Sequence, residues 1–177
     1  MEQTNLRLAL RQHTDDLHRR LDATVGAFHD IRSYGAFLTH SLRFRQMVEP
    51  ALTPSADWTP QSLLTELALD SDDLALPHGA AQTRPLASIV DESTRLGALY
   101  VLEGSALGAH LLFERARALG LSAERGARHL AKQVGASNRW REFVQLLDSR
   151  RELDRTAVLA GARHLFETAL SVYAGAK

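Results

Sequence analysis

Histidine is the side chain of this 177-residue protein best suited to bind a transition metal, because the chain has eight histidines and no cysteine. The absence of cysteine excludes disulfides, thiolate zinc sites, iron–sulfur clusters and cysteine nucleophiles. Any chemistry must therefore come from histidine, from carboxylates or from a bound cofactor.

His18 differs from the other histidines by its place in the segment RQHTDDLHRRLDA. It directly follows the apolar position Leu17, at the border of the buried stripe of a predicted helix, and Asp22 lies four residues later on the same face. A neutral imidazole binds iron well, and a carboxylate that accepts from its second nitrogen fixes the tautomer and strengthens donation. The spacing suits a metal ligand, although a lone histidine is more often a surface or core residue.

A second unusual stretch is residues 95–113, RLGALYVLEGSALGAHLLF, which is helical by its apolar spacing yet contains glycines at 97, 104 and 108. An interior glycine costs about 1 kcal/mol relative to alanine, so Gly104 and Gly108 together forgo roughly 2 kcal/mol. Their spacing of four puts both on one face, where another backbone or a flat ligand could approach the helix axis. Tight helix–helix packing explains the same pattern, so both interpretations stay open.

Helices must position these residues, because the apolar spacing is helical almost throughout. One stripe runs from Leu6 to Val25 and another from Val158 to Tyr173. Between them the pattern predicts helices at 33–48, 60–70, 88–118, 122–133 and 138–149. Thr59-Pro60 and Ser137 are candidate helix starts, since a hydroxyl can cap free N–H groups and proline suits a first turn.

The rest of the pattern predicts an all-α fold. No stretch combines strict alternation with β-branched and aromatic residues, so no strand is expected. Prolines and a glycine interrupt the pattern at 71–87, which we interpret as a surface connection. A chain that is 45% hydrophobic and 24% charged is typical of a globular protein, and we expect one domain over 1–177.

The charge balance and the start of the chain limit the possible partners. Lys plus Arg and Asp plus Glu both number 21, so the formal net charge is zero and predicts no general attraction to nucleic acid or anionic lipid. The start, MEQTNLRLALRQHTDD, has no apolar signal core, and no run approaches the roughly 18 apolar residues of a membrane span. We expect a cytoplasmic protein without membrane contact.

Two motifs together resemble the haem oxygenase family. Near the start, L-R-x-x-T-x-x-x-H-x-x-L-D runs from Leu10 to Asp22, and L-Y-V-L-E-G-S-A-L-G-A follows from Leu99 to Ala109. The resemblance is greatest to short bacterial members, including those paired with bacterial phytochromes. It implies an all-α, haem oxygenase-like helical bundle.

The resemblance also implies roles for individual residues. His18 would bind the haem iron from the proximal side, with Asp22 supporting its imidazole. Gly104 and Gly108 would let the backbone of a distal helix lie over the iron, with Ser105 between them as a further catalytic position.

Other expected haem-binding positions lie on the same two helices. Thr14 belongs to the first motif, and Arg11 matches a basic position used for the haem propionates in the family. Arg115, on the distal helix, is a weaker candidate for that role, as is Arg117. The alternative for each arginine is a solvated helix face.

The implied reaction uses haem as both cofactor and substrate. With O₂ and an external electron donor, the ring opens at a meso carbon to biliverdin, with release of CO and Fe²⁺. A biliverdin-binding photoreceptor is a possible recipient of the product. Ser105 stands where some relatives have a carboxylate and Ala109 where several have a second glycine, so the delivery of protons could differ here.

Two other functions remain open on the sequence alone. One is a haem carrier or sensor that keeps His18 but has lost turnover, and the other is a haem-free regulatory protein that acts through a partner. A non-haem di-iron bundle is excluded, because it needs Glu-x-x-His pairs and this chain has none.

Overall fold

The computed structural model describes residues 5–52, 54–55, 57–77, 84–136 and 138–175, and over these the chain is helical and contains no strand. The predicted all-α class is confirmed. The helices are α1 (Leu6–Val25), α2 (Ile31–Val48), α3 (Leu64–Asp73), α4 (Glu92–Gly104), α5 (Ala106–Ala118), α6 (Arg128–Gly135), α7 (Asn138–Ser149) and α8 (Arg155–Ala174).

Side-chain caps explain where several of these helices begin. Asn5 caps α1 and Asp30 caps α2, each by accepting from a backbone N–H of the first turn. Asp91 and Asp154 do the same for α4 and α8. The helices predicted from the first and last apolar stripes and those at 33–48 and 138–149 are confirmed, whereas Ser137 lies outside the described residues.

The close approach of α4 and α8 forms the centre of the bundle. A Cβ added to Gly97 would lie 1.9 Å from the carbonyl oxygen of Val158, and one added to Gly161 would lie 2.1 Å from that of Thr94. Each glycine therefore admits the backbone of the other helix. α1 also packs on α8, so α8 supports both α1 and α4.

The predicted helix at 60–70 starts too early. α3 begins at Leu64 with no side-chain cap, so Thr59-Pro60 is not a helix start. The carbonyl of Thr59 instead accepts a hydrogen bond of 2.8 Å from Arg139 Nη2 of α7. The sequence did not reveal this partner, because it lies on another helix.

The connection expected at 71–87 is only partly a connection. α3 continues through Asp73, so the first residues of that range are helical. Residues 84–90 are non-helical and are fixed by backbone hydrogen bonds from Leu86 to Met47 and from Ile89 to Ala51. Residues 78–83 lie outside the described part.

The long helix predicted at 88–118 is in fact two helices. α4 begins at Glu92 and ends at Gly104, and α5 begins at Ala106, so the helix is interrupted at Ser105. We call this interruption the break. The helix predicted at 122–133 is also shorter, since α6 begins at Arg128. The segment before it is a turn in which Gly126 has a φ of +75°, a conformation that favours glycine.

Taken across its break, Glu92–Ala118 is long and apolar enough to pass a test for a membrane span, with a mean hydropathy of 1.4. This differs from the expectation that no segment approaches that limit. A core helix of a soluble protein passes the same test, so the finding is weak evidence for a membrane. α4 lies largely within the bundle core, whereas only Ala109 and Ala116 of α5 are buried, so that 39% of the tested window is buried.

Candidate functional site

His18 and Asp22 form an exposed pair on α1. The imidazole Nδ1 lies 3.0 Å from Asp22 Oδ2, and the side chains are 62% and 69% exposed. The imidazole and the Phe166 ring of α8 pack in a T-shaped arrangement, with the ring centroids 5.8 Å apart. Nδ1–H donation to the carboxylate leaves the lone pair on Nε2, which is the nitrogen that can bind a metal.

One face of α5 carries two of the predicted site residues. Gly108, Leu111 and Arg115 follow one another at helical spacing on that face. Arg115 Nη1 donates to the carbonyl of Gly26, just after the end of α1, over 3.1 Å. Arg115 thus joins the last turn of α5 to the residue that follows α1.

α1 and α4 also approach each other near the start of α1. Tyr100 of α4 is half-buried, and burial raises the pKa of its hydroxyl, whereas the nearby cations Arg7 and Arg11 lower it. Arg11 and His18 share a face of α1, being seven residues apart. Tyr100 thus lies near the start of α1 and Arg115 lies at its end. We call the region between α1 and α5 that these two residues bound the α1–α5 cleft.

Between these ends the α5 side of the cleft is open and apolar. Leu107 is 64% exposed and Leu111 is 56% exposed. A Cβ added to Gly108 would meet nothing within 4 Å. Large exposed apolar side chains beside an open backbone are typical of a surface that binds an apolar ligand.

Gly104 and Ser105 lie at the break between α4 and α5. A Cβ added to Gly104 would lie 3.3 Å from the ring of Trp140, a tight contact, so this glycine lies against protein rather than open space. Ser105 Oγ donates to the carbonyl of Leu102 over 2.7 Å and accepts from Gln133 Nε2 over 3.1 Å. The break is therefore fixed by side chains.

Neither Thr14 nor Arg115 is placed to bind one anionic edge together with Arg11. Thr14 is buried, and its hydroxyl donates to the carbonyl of Leu10 over 2.8 Å. Arg115 lies beside the end of α1, whereas Arg11 is in the first half of that helix, about 20 Å away along the helix axis. Arg11 and Arg115 are too far apart to serve one anionic edge.

The arrangement fits a flat, apolar, iron-containing ligand such as haem. It offers an exposed imidazole whose Nε2 is free of Asp22, an apolar surface opposite, and cationic groups at Arg7 and Arg11. No group of three or more metal-binding side chains occurs among the described residues. A single histidine is sufficient when the porphyrin supplies the other ligands.

Comparison with a curated relative identifies the family. Heme oxygenase PigA of Pseudomonas aeruginosa strain PAO1 is 33% identical to this chain, over 76% of this chain and 73% of the relative. The chain belongs to the haem oxygenase family. No protein-family model matches the sequence.

A solved structure shows that the haem oxygenase fold extends over nearly the whole chain. The haem oxygenase of Neisseria meningitidis, solved with NO and CO bound, superposes with a TM-score of 0.78 over 97% of this chain and 91% of that one. At 24% identity this match establishes the shared fold.

Reasoning from the sequence missed several residues of this haem oxygenase that surround the break. Glu103 carried a signal, because it is a carboxylate inside the apolar run LYVLEG. Its oxygens accept from Arg139 and Trp58. Gln133 and Arg139 had no comparable signal, since their partners are distant in sequence.

Proposed function

We propose that this protein is a haem oxygenase that binds haem in the cleft between α1 and α5 and converts it to biliverdin, CO and Fe²⁺. The observation that carries the proposal is the His18–Asp22 pair, an exposed imidazole that uses Nδ1 for Asp22 and leaves Nε2 free of that carboxylate. Haem, when bound, supplies an iron that activates O₂ and the ring that is opened. Membership of the haem oxygenase family supports the same conclusion.

On the proximal side, His18 Nε2 is the proposed iron ligand. Asp22 accepts from Nδ1–H at 3.0 Å, which holds the tautomer and makes Nε2 a stronger donor. Phe166 packs against the ring and limits its rotation. These contacts orient the imidazole before any ligand arrives.

On the distal side, Gly108 lets the ligand approach the backbone of α5, and Leu107 and Leu111 cover its apolar surface. Ser105 is the proposed residue that holds a water molecule for proton delivery. Its hydroxyl already donates to Leu102 and accepts from Gln133, and its second lone pair can accept from water. Ser105 is therefore proposed to orient a water molecule without itself supplying the proton.

The propionate edge is proposed to lie towards Arg11, Arg7 and Tyr100. Two cations and a phenol near each other suit two carboxylates. Thr14 has weaker support as a binding residue, because its one hydroxyl donor is bonded to Leu10. Arg115 keeps free N–H groups, but it is held at the carbonyl of Gly26, about 20 Å from Arg11 along α1. Arg115 instead joins the last turn of α5 to Gly26, the residue that follows α1.

The proposal includes an external electron donor, because reduction of O₂ needs electrons and the chain has no cysteine to hold an iron–sulfur cluster. Delivery of biliverdin to a photoreceptor rests on the family resemblance alone. We further propose that residues 1–177 act as one domain, supported by the superposition of a solved haem oxygenase on 97% of the chain, and that the protein acts in the cytoplasm, in line with its formal net charge of zero.

Aerobic turnover tests this function. Purified protein loaded with haem is mixed with a reductant in air, and its absorbance is followed together with the release of CO and Fe²⁺. Loss of the haem Soret band should accompany the appearance of biliverdin. Haem that is bound stably but never degraded would instead identify a carrier or sensor, and the lack of a saturable haem complex would identify a haem-free protein.

A further inference from the structure

The break between α4 and α5 is bonded on both sides to other helices. The backbone N–H of Ser105 still pairs with Val101 over 3.1 Å, but that of Gly108 pairs with Ser105, three residues back, over 3.2 Å. The regular helical hydrogen bonding is thus tightened in the turn that ends at Gly108, the residue proposed to lie against haem. A local change of this kind needs support from its surroundings.

On the α4 side, the support comes from α7. Glu103 is 5% exposed and accepts two hydrogen bonds from Arg139, 2.7 Å from Nη2 and 3.1 Å from Nε. Trp58 Nε1 donates to the same carboxylate over 2.9 Å, and the guanidinium of Arg139 lies over the indole ring. This two-point geometry fixes the orientation of Glu103 as well as its position.

On the α5 side, the support comes from α6. Gln133 is buried and donates from Nε2 to Ser105 Oγ over 3.1 Å. The helix that carries Gln133 is itself anchored, because His129 of α6 forms hydrogen bonds to Asp70 of α3 through both its backbone N–H and its Nδ1. Ser105 is therefore connected to α3 by hydrogen bonds that run through α6.

We propose that Gln133 and Arg139 are positioning residues that hold the break in the conformation that selects which meso carbon of haem is oxidised. The proposal rests on the proposed haem oxygenase function and deepens it. Neither residue needs to touch haem, because each acts through a residue that flanks Gly104. Loosening either contact lets the backbone at 104–108 take more than one position over the ring, so attack reaches more than one meso edge.

Two variants with matched controls test the proposal. Gln133→Leu and Arg139→Met remove the donors, whereas Gln145→Leu and Arg141→Met make the same changes at exposed positions of α7. Thermal unfolding and circular dichroism first establish that each variant is folded. Gln133→Asn, which keeps the amide but shortens its reach, measures how strictly the distance to Ser105 must be kept.

Hydrogen exchange of the haem-free variants is the first readout and is independent of turnover. In Gln133→Leu the amides of 105–108 should exchange about five- to tenfold faster, while those of α1 and α8 do not change. Arg139→Met should have the same effect at 103–105. Unchanged exchange in both variants would overturn the proposal whether or not the wild type degrades haem.

The second readout is the isomer distribution of the biliverdin that the loaded protein produces, measured with the C–O stretching frequency of the CO complex. We expect one dominant isomer from the wild type and both controls, and a mixture with a shifted or broadened C–O band from Gln133→Leu and Arg139→Met. Faster exchange with an unchanged isomer distribution would contradict a role in selecting the meso carbon. A wild type that makes no biliverdin would contradict the proposed function instead.

Discussion

The two walls of the proposed haem site are fixed in different ways. On α1, His18 and Asp22 pair within a single helix and are mostly exposed. On the opposite wall, Glu103 and Ser105 are held by side chains of α7 and α6. The iron ligand therefore depends on the surface of one helix, whereas the distal backbone depends on tertiary structure.

This difference separates two kinds of effect. Changes to the α1 pair should alter haem binding with little change in the free energy of unfolding, because exposed ion pairs contribute little to stability. Changes around α4 and the break should alter stability and chemistry together, because buried bonded groups are costly to leave unpaired.

The largest expected effect is that of Gly97→Ala, which tests how α4 is held against α8. The new Cβ would lie 1.9 Å from the carbonyl oxygen of Val158, a backbone atom that cannot move without the whole helix. We expect a loss of about 3 kcal/mol or more in the free energy of unfolding, measured by urea denaturation.

Gly108→Ala is the control for that change, since its Cβ would enter open space. The free energy of unfolding should stay the same or rise by up to about 1 kcal/mol, while haem affinity falls because the methyl group enters the cleft. An equal loss of stability in both variants would refute the distinction between the two glycines.

Glu103→Gln is expected to have the next largest effect. The substitution leaves the guanidinium of Arg139 without its charged partner, although Arg139 is 29% exposed and solvent offsets part of the loss. We expect a loss of about 2 kcal/mol in chemical denaturation. Glu142→Gln, at an exposed position of α7, should change stability by less than about 0.5 kcal/mol, and a similar result for both would argue against a fixed distal wall.

Mildly acidic pH should lower the free energy of unfolding through His129, the residue that anchors α6 next to the break. Burial lowers the pKa of His129 below its ordinary 6.5, and Arg45 also lowers it, while Asp70 and Glu66 raise it without reversing the shift. The unfolded chain therefore takes up a proton before folded His129 does, so stability is full above about pH 6.5 and decreases as the pH falls below it.

This pH dependence can be measured as the urea midpoint at pH 7.5 and pH 5.5. His129→Gln, which keeps a donor for Asp70, should show a smaller decrease than the wild type. Part of the slope should remain, because burial also lowers the pKa of His40. An identical slope in the variant would show that His129 does not cause the effect.

Asp22→Ala is expected to change stability least. The pair with His18 is exposed, so the free energy of unfolding should change by no more than about 0.5 kcal/mol. Haem affinity should fall about tenfold, because the imidazole loses the acceptor that orients it. Asp15→Ala, another exposed acid on α1, should leave haem affinity unchanged.

The proximal wall was predictable from the sequence because its information is local. The stripe from Leu6 to Val25 defined α1, and the spacing of His18 and Asp22 placed them within contact of each other. All the interactions needed for that prediction lie within two helical turns.

The distal wall was less predictable, because its geometry comes from residues that are distant in sequence. Apolar spacing gave one continuous helix, but the structure breaks it at Ser105, whose partner Gln133 lies on α6. The glycine pattern was also ambiguous. The glycine at 97 serves packing against α8, whereas Gly108 faces open space, and only the three-dimensional structure separates these roles.

The spectrum of the ferric haem complex tests the central claim, that His18 is the iron ligand. Haem is titrated into the wild type, His18→Ala and His13→Ala, an exposed histidine on the opposite side of α1. Wild type and His13→Ala should give the same saturable, histidine-ligated Soret band, which His18→Ala should lose and added imidazole should restore. An unchanged spectrum in His18→Ala would contradict the assignment.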